Sequence, residues 1–491
     1  MEDLDGNVVA VRTCLLEEQA TACQMLLLLA DALQEHFLPY VEAVADQLAA
    51  LVNTSPHDDV RTFCMAGLPE LVRSCGKAAA MQGSDLELSG VRQLLEFFLG
   101  RLMESLEQET CVELLMTAVQ AVKRCVQYAC VRWENHTKGM GDPEPTLPES
   151  CRPVLNKAQM DLLVTNGLHC LGQSFRRRAI RRAEATASED WDEVEDQRAA
   201  EAEKEETELH VNLAELFGCL LQTHGDGFLP TYVELLLPHF LEMAQPDSVP
   251  SDRKVAVHML DQVLEFAPKG AQVLMSKIVP VLHGACRDSD PGIRMAAFFG
   301  LGLSAKFGPA FSPFSFESLR VLEGYLREPG MRMKSVEYAA TDNAVSALGL
   351  LLEFQRDSLT QNGVQVKDAW GQWLSHLPLQ GDEEESQKVT DQLCRLLENS
   401  VTQTDLLGVG LDRLPAALTA LAQVVGTDLA GPKAHVFVAR SVLAMQGSGG
   451  SSNLPLQALA QAMSSLGEEE QRRLNNVASS YSFDAPSAFC P

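Results

Sequence analysis

The densest chemistry in this 491-residue sequence is electrostatic. Arg176, Arg177, Arg178, Arg181 and Arg182 are followed by Glu189, Asp190, Trp191, Asp192, Glu193, Glu195, Asp196, Glu201, Glu203, Glu205 and Glu206, with only Arg198 and Lys204 between them. Carboxylates this dense attract Lys- and Arg-rich partners over about a Debye length, roughly 8 Å at physiological salt. Trp191 adds a ring face for an aliphatic stem or a cation, or an anchor to the rest of the chain. Three readings stay open: an acidic lure for a basic partner, a strip whose arginines rest on an acidic wall, or a solvated insertion with no binding role. Like charges one turn apart weaken a packed helix, so 176–208 is expected as a solvated helix extension or a mobile loop.

Bond-making chemistry has no comparable candidate. Gly300-Leu301-Gly302 follows no strand, so it reads as helix packing rather than a phosphate cradle. His169-Cys170 and the pair Cys125 and Cys130 lack a second ligand pair at zinc spacing. No Ser, Cys or Lys has the setting of an activated nucleophile, and the glutamates follow solvated helix faces. The sequence therefore offers no catalytic, cofactor-binding or metal-ligating residue, and it does not read as an enzyme.

The elements that carry the charge repeat a helix-opening phrase, an Asp followed by a basic residue and small apolar residues. It occurs as Asp58-Asp59-Val60-Arg61 and as Asp290-Pro291-Gly292-Ile293-Arg294, with looser copies at Ser251-Asp252-Arg253-Lys254 and Thr341-Asp342-Asn343. Asp caps the free N–H groups of a starting helix, Pro291 suits its first turn, and small residues allow a close neighbour. Apolar Pro-bearing stretches precede three of these phrases, at Phe37-Leu38-Pro39, Phe228-Leu229-Pro230 and Ile278-Val279-Pro280. The unit is a helical hairpin at the roughly 40-residue period of HEAT repeats. With 6% aromatics and no convincing alternating strand, the expected fold is all-α, a right-handed α-solenoid of tandem HEAT-type helical hairpins.

A net charge of -28 argues against nucleic acid and for basic partners, although acidity also keeps a large helical array soluble. Met1-Glu2-Asp3 is no secretory start, and Leu26 to Ala30 is too short an apolar run to span a bilayer. Thirteen cysteines at mostly core spacings read as buried free thiols of the cytosol or nucleus. The expected division is HEAT repeats over 1–137, a Pro/Gly loop at 138–153, HEAT repeats over 154–445 with the charged insertion 176–208, a flexible linker at 446–453, capping helices at 454–478 and a disordered tail at 479–491.

The order of several segments resembles the importin-β (karyopherin-β) family of nuclear transport receptors, specifically the C-terminal half of the importin beta-3 branch with importin 5 and Ran-binding protein 6. The resembling phrases are Leu16 to Leu26, Phe37 to Tyr40, Asp290 to Ala297 with Gly300-Leu301-Gly302, Trp373 to Leu379 followed by Asp382-Glu383-Glu384-Glu385, and Glu468 to Val477. The resemblance implies a receptor for cargo with basic localisation signals, such as ribosomal proteins or histones. Such a receptor shuttles between cytoplasm and nucleus through the pore, meeting nucleoporins and releasing cargo to Ran-GTP. It also implies that the Ran surface lies chiefly in an N-terminal half, so that Met1 falls about midway through such a receptor. No cargo-contact residue is carried across, and neither direct nucleic-acid binding nor membrane insertion is expected. The alternative is a HEAT scaffold for a phosphatase or other assembly, which would grip a folded partner through a more apolar patch.

Overall fold

The computed structural model describes residues 13–82, 85–131, 133, 152–187, 192–328, 334–448 and 450–480. The core of the expected Pro/Gly loop, 138–151, and the last eleven residues of the chain lie outside the described residues, as do Glu189, Asp190 and Trp191. Among the described residues the structure is helical and contains no strand. The chain falls into two units, Met1–Gln245 and Pro246–Pro491.

The first unit contains α1 (Thr13–Leu33), α2 (Val41–Thr54), α3 (Asp58–Gln82), α4 (Asp85–Gln108), α5 (Val112–Cys130), α6 (Lys157–Ala187), α7 (Glu193–His224), the single turn α8 (Leu229–Thr231) and α9 (Leu237–Met243). Helices α1, α3, α5 and α7 pack in succession as one layer, and α2, α4 and α6 as the other. Stacking buries what one hairpin cannot: on α3, Val60, Cys64, Met65, Leu68, Leu71 and Val72 are each fully buried. At roughly 1.5–3 kcal/mol for each large aliphatic side chain, contacts between repeats dominate the stability.

The second unit contains α10 (Pro250–Phe266), α11 (Pro268–Ala271), α12 (Met275–Ala285), α13 (Pro291–Ala305), α14 (Ser315–Leu326), α15 (Tyr338–Phe354), α16 (Arg356–Gln361), α17 (Val366–Ser375), α18 (Glu383–Glu398), α19 (Ser400–Leu407), α20 (Leu414–Val424), α21 (Pro432–Met445), α22 (Leu456–Ser464) and α23 (Glu468–Ser480). One layer runs α10, α13, α15, α18, α21, α23, each packed on the next. The two glycines of Gly300-Leu301-Gly302 are packing positions. A Cβ at Gly300 would overlap the Asp261 carboxylate, and one at Gly302 would lie 3.2 Å from the Ala347 Cα.

The repeated phrase does more than open helices. Asp290 caps α13, accepting from the N–H groups of Gly292 and Ile293 at 2.7 and 3.0 Å. The basic residue that follows ties one repeat to the next: Arg61 reaches Glu109, Arg253 grips Asp288 through both oxygens at 2.8 and 2.9 Å, and Arg294 reaches Glu337. Asp342 differs from the expectation that it caps its own helix, because α15 already starts at Tyr338. Its carboxylate instead accepts the N–H groups of Gln380, Gly381 and Asp382, at 3.1, 2.6 and 3.1 Å, holding the turn that leads into α18. In the 446–453 stretch, Asn453 donates to the Glu398 carbonyl at 3.0 Å. Among the described cysteines none forms a disulfide and most are buried, with Cys14 exposed.

Candidate functional site

The charged segment is the distal half of a hairpin made by α6 and α7, and its proximal half explains why it stands. Leu163, Val164, Cys170 and Leu171 on α6 are buried in the same unit as Leu209, Leu213, Leu216 and Phe217 on α7. Gly167 admits the Phe217 ring, which a Cβ would meet at 2.7 Å. Both helices begin with reciprocal caps. Asn156 and Gln159 exchange backbone-to-side-chain bonds of 3.0 Å, and Asp192 accepts from Val194 and Glu195 N–H while the Glu195 carboxylate accepts from Asp192 N–H. Ser174 on α6 and His210 on α7 join the helices at 2.8 Å where the apolar half gives way to the charged one.

Beyond that point the arginines turn onto the carboxylates of the facing helix. Arg177 is bidentate on Glu206, at 2.7 and 2.8 Å, and Arg181 adds a bond of 3.2 Å to the same carboxylate. Arg178 lies 3.0 Å from Glu203 and donates to Thr207, and Arg182 reaches Glu203 at 3.2 Å. Glu206 is completely buried. Burial alone would push its carboxyl up, but the bonds from Arg177, Ser174 and Arg181 outweigh that and hold it below the usual carboxylate range. The Arg177 guanidinium is correspondingly held above its ordinary value, chiefly by Glu206.

The sequence-defined acidic strip thus divides by use. Asp192 and Glu195 cap α7, Glu203 and Glu206 neutralise the arginines, and Glu193, Glu201 and Glu205 make no hydrogen bond or ion pair with a described residue. Glu193, Asp196, Glu201 and Glu208 are exposed, and Glu205 is half-buried. Residues 176–208 hold seven basic residues against twelve acidic, a net charge of only -5. The Arg–Glu register was present in the sequence as Arg177 and Arg181 one turn apart against Glu203 and Glu206, a pairing that requires an antiparallel hairpin to be seen. Most of the acidity lies elsewhere in the same unit: residues 1–245 hold 40 acidic and 19 basic residues, a net of -21, and residues 246–491 hold 27 and 20, a net of -7.

Among the described residues no group of three or more His, Cys, Asp or Glu is placed to hold a metal ion, and no helix is long and apolar enough to cross a membrane. His169 is exposed while Cys170 is buried, its thiol directed to the Leu106 carbonyl at 3.4 Å.

A family model described as Importin repeat 6 matches residues 152–246, the span of α6 through α9 and therefore the whole charged hairpin. A probable importin-5 homologue of Dictyostelium discoideum is 24% identical over 408 residues, 81% of this chain and 35% of that protein. Importin-4 of Mus musculus is 24% identical over 318 residues, 62% of this chain and 25% of that protein. The chain thus spans about a third or less of the length of these curated relatives. Among solved structures, Kap121p bound to Nup53p matches with a TM-score of 0.65 at 14% identity, over 96% of this chain and 38% of that one. Kap121p bound to RanGTP matches with a TM-score of 0.61 at 14% identity, over 96% and 39% of the two chains. The fold is an all-α solenoid.

Proposed function

We propose that this chain belongs to the importin-β family and is the cargo-side part of a nuclear transport receptor that binds proteins with basic localisation signals and acts by carriage rather than catalysis, a reading supported by the match at 152–246 and by the importin relatives. The observation that carries this reading is the coincidence of the family match at 152–246 with a hairpin that neutralises its own arginines and leaves carboxylates outward, within a unit of net charge -21. Exposed Glu193 and Glu201, with Glu205 beside them, attract Lys and Arg before short-range contacts set specificity. The receptor would shuttle between cytoplasm and nucleus, meet nucleoporins at the pore and release cargo to Ran-GTP. Structures of Kap121p bound to Nup53p and to RanGTP support that kind of partner. The division of the chain follows the same reading: stacked repeats interrupted at 138–153 and 446–453, with the last helices as a cap.

A titration against a labelled Lys/Arg-rich signal peptide and a scrambled peptide of equal charge, at low and physiological salt, tests it. Selective binding weakened by salt is the expected result, and equal affinity for both peptides would favour a scaffold instead. In a Glu193→Gln, Glu201→Gln, Glu205→Gln variant the association rate should fall several-fold with dissociation little changed. An unchanged association rate would make the hairpin a spacer.

A further inference from the structure

A second surface holds charges that the protein itself does not satisfy. In the second unit a groove of about 480 Å³ is lined from α10, α13, α15 and α18, with Phe299, Leu303, Leu350 and Phe354 among its apolar walls. It shares Glu265, Leu303 and Lys306 with a neighbouring groove of about 580 Å³. Each falls in the ~300–1,000 Å³ range of clefts that take a ligand or a peptide side chain. Phe354 is 44% exposed at its lip, a large aromatic side chain partly open to solvent.

The rim charges sort by whether they are already engaged. Lys388 bonds Glu384 and Glu385 at 2.8 and 3.0 Å, with its ammonium 5.4 Å from the Phe299 ring centre. Arg395 grips both oxygens of Glu353, and Asp391 accepts from the Ala434 N–H. Glu265 on α10 and Lys306 at the end of α13 make no hydrogen bond or ion pair with each other or with any described residue, although both line both grooves. Burial pushes the Glu265 carboxyl up, with Glu384 and Glu385 adding to it against Lys388 and Lys306. Burial pushes the Lys306 ammonium down, with Lys388 and Arg395 adding to it against Glu385 and Glu265. Both side chains are exposed at the rim and neither has a direct ion-pair partner among the described residues, so each is available to an incoming group of opposite charge.

We infer that this groove binds an extended peptide segment in which a large apolar side chain is flanked by one acidic and one basic residue. The apolar side chain packs against Phe299, Leu303, Leu350 and Phe354, the acid pairs with Lys306 and the base with Glu265. This preference goes beyond basic cargo, because an all-basic segment would set a like charge against Lys306.

The test is an anisotropy titration of the full chain with four labelled heptapeptides: Glu-Ser-Leu-Phe-Leu-Ser-Lys, its all-Lys and all-Glu versions, and one with Leu-Phe-Leu replaced by Ser. The mixed-charge peptide should bind about tenfold more tightly than the other three. Lys306→Glu should cost it about tenfold while improving the all-Lys peptide, and Phe354→Ser should weaken every apolar peptide. Equal binding of the all-Lys and mixed-charge peptides, or no change with Lys306→Glu, overturns the inference. Both variants alter exposed rim positions, and binding of the localisation-signal peptide to the first unit should be untouched by them, so this inference and the transport reading fail separately.

Discussion

The hairpin of α6 and α7 and the groove of α10, α13, α15 and α18 treat charge in opposite ways. In the hairpin, Arg177, Arg178, Arg181 and Arg182 all meet Glu203 or Glu206, and the fully buried carboxylate is the most heavily bonded group of the set. In the groove, Glu265 and Lys306 stand without partners on a surface whose sequence attracts no notice. The density of charge along a chain therefore measures how much must be neutralised, whereas availability to a partner depends on which groups the fold leaves over. The hairpin's residual is its outer row, and the groove's is one pair of opposite sign.

The largest expected effect breaks the satisfied side of this contrast. Glu206→Ala leaves Arg177 and Arg181, both about one-quarter exposed, facing a site from which their carboxylate has gone. Removing one partner of a buried pair costs about 3–5 kcal/mol, read as a lower denaturant midpoint of the first unit. Adding Arg177→Met should recover part of the loss, because the uncompensated cation then disappears as well. A loss within about 0.5 kcal/mol for Glu206→Ala would mean that the hairpin charges are as dispensable as surface pairs.

How much of this was legible in the sequence depends on the range of the interaction. The helical hairpins and their stacking were readable because Asp290, Pro291 and the small residues of α13 act within a few positions of one another. The acidic strip was readable as composition but not as use, since pairing Arg177 with Glu206 spans 29 positions and needs the turn between the helices. Asp342 was misassigned for the same reason: its three N–H partners are 38 to 40 residues away. The groove left no sequence signal at all, because Glu265, Lys306, Phe354 and Lys388 come from four helices and share a site only after stacking.

A smaller effect sharpens the contrast by pH. His224 at the end of α7 is buried, and burial lowers its pKa from 6.5 to about 4. Its geometry fits the neutral ring. The Thr223 hydroxyl, which bonds the Cys219 carbonyl, lies 2.8 Å from Nδ1, while Nε2 accepts the Leu155 N–H at 3.2 Å, where a protonated ring would set donor against donor. The unfolded chain takes up this proton near pH 6.5 and the folded chain only near 4, so the stability is fully present above 6.5 and is lost as pH falls toward 4. The loss should be on the order of 3 kcal/mol across that window, and His224→Gln should flatten it. A first unit equally stable at pH 7 and pH 4.5 would show the site to be wetter or more mobile than its packing implies.

The smallest of the three effects should have the opposite sign. Asp261 on α10, one turn before Glu265, is 1% exposed, and neither carboxylate oxygen has a hydrogen-bond partner. Burial, with a further push from Glu265, raises its carboxyl well above the ordinary value, so the folded protein keeps the proton that the unfolded chain loses near pH 4. For a group raised in this way the favourable contribution is fully present below the unfolded value and is lost as pH rises through the folded one. Near neutral pH, Asp261 therefore weakens the packing of α10 on α13, where Gly300 makes room for its carboxyl. Asp261→Asn keeps the shape and removes the titration, and should stabilise the second unit by about 1–3 kcal/mol at pH 7 with no gain at pH 3.5. A destabilised Asn variant at pH 7 would mean that the carboxylate has an ionic partner in solution, and the second unit would then hold its buried charge as the hairpin does.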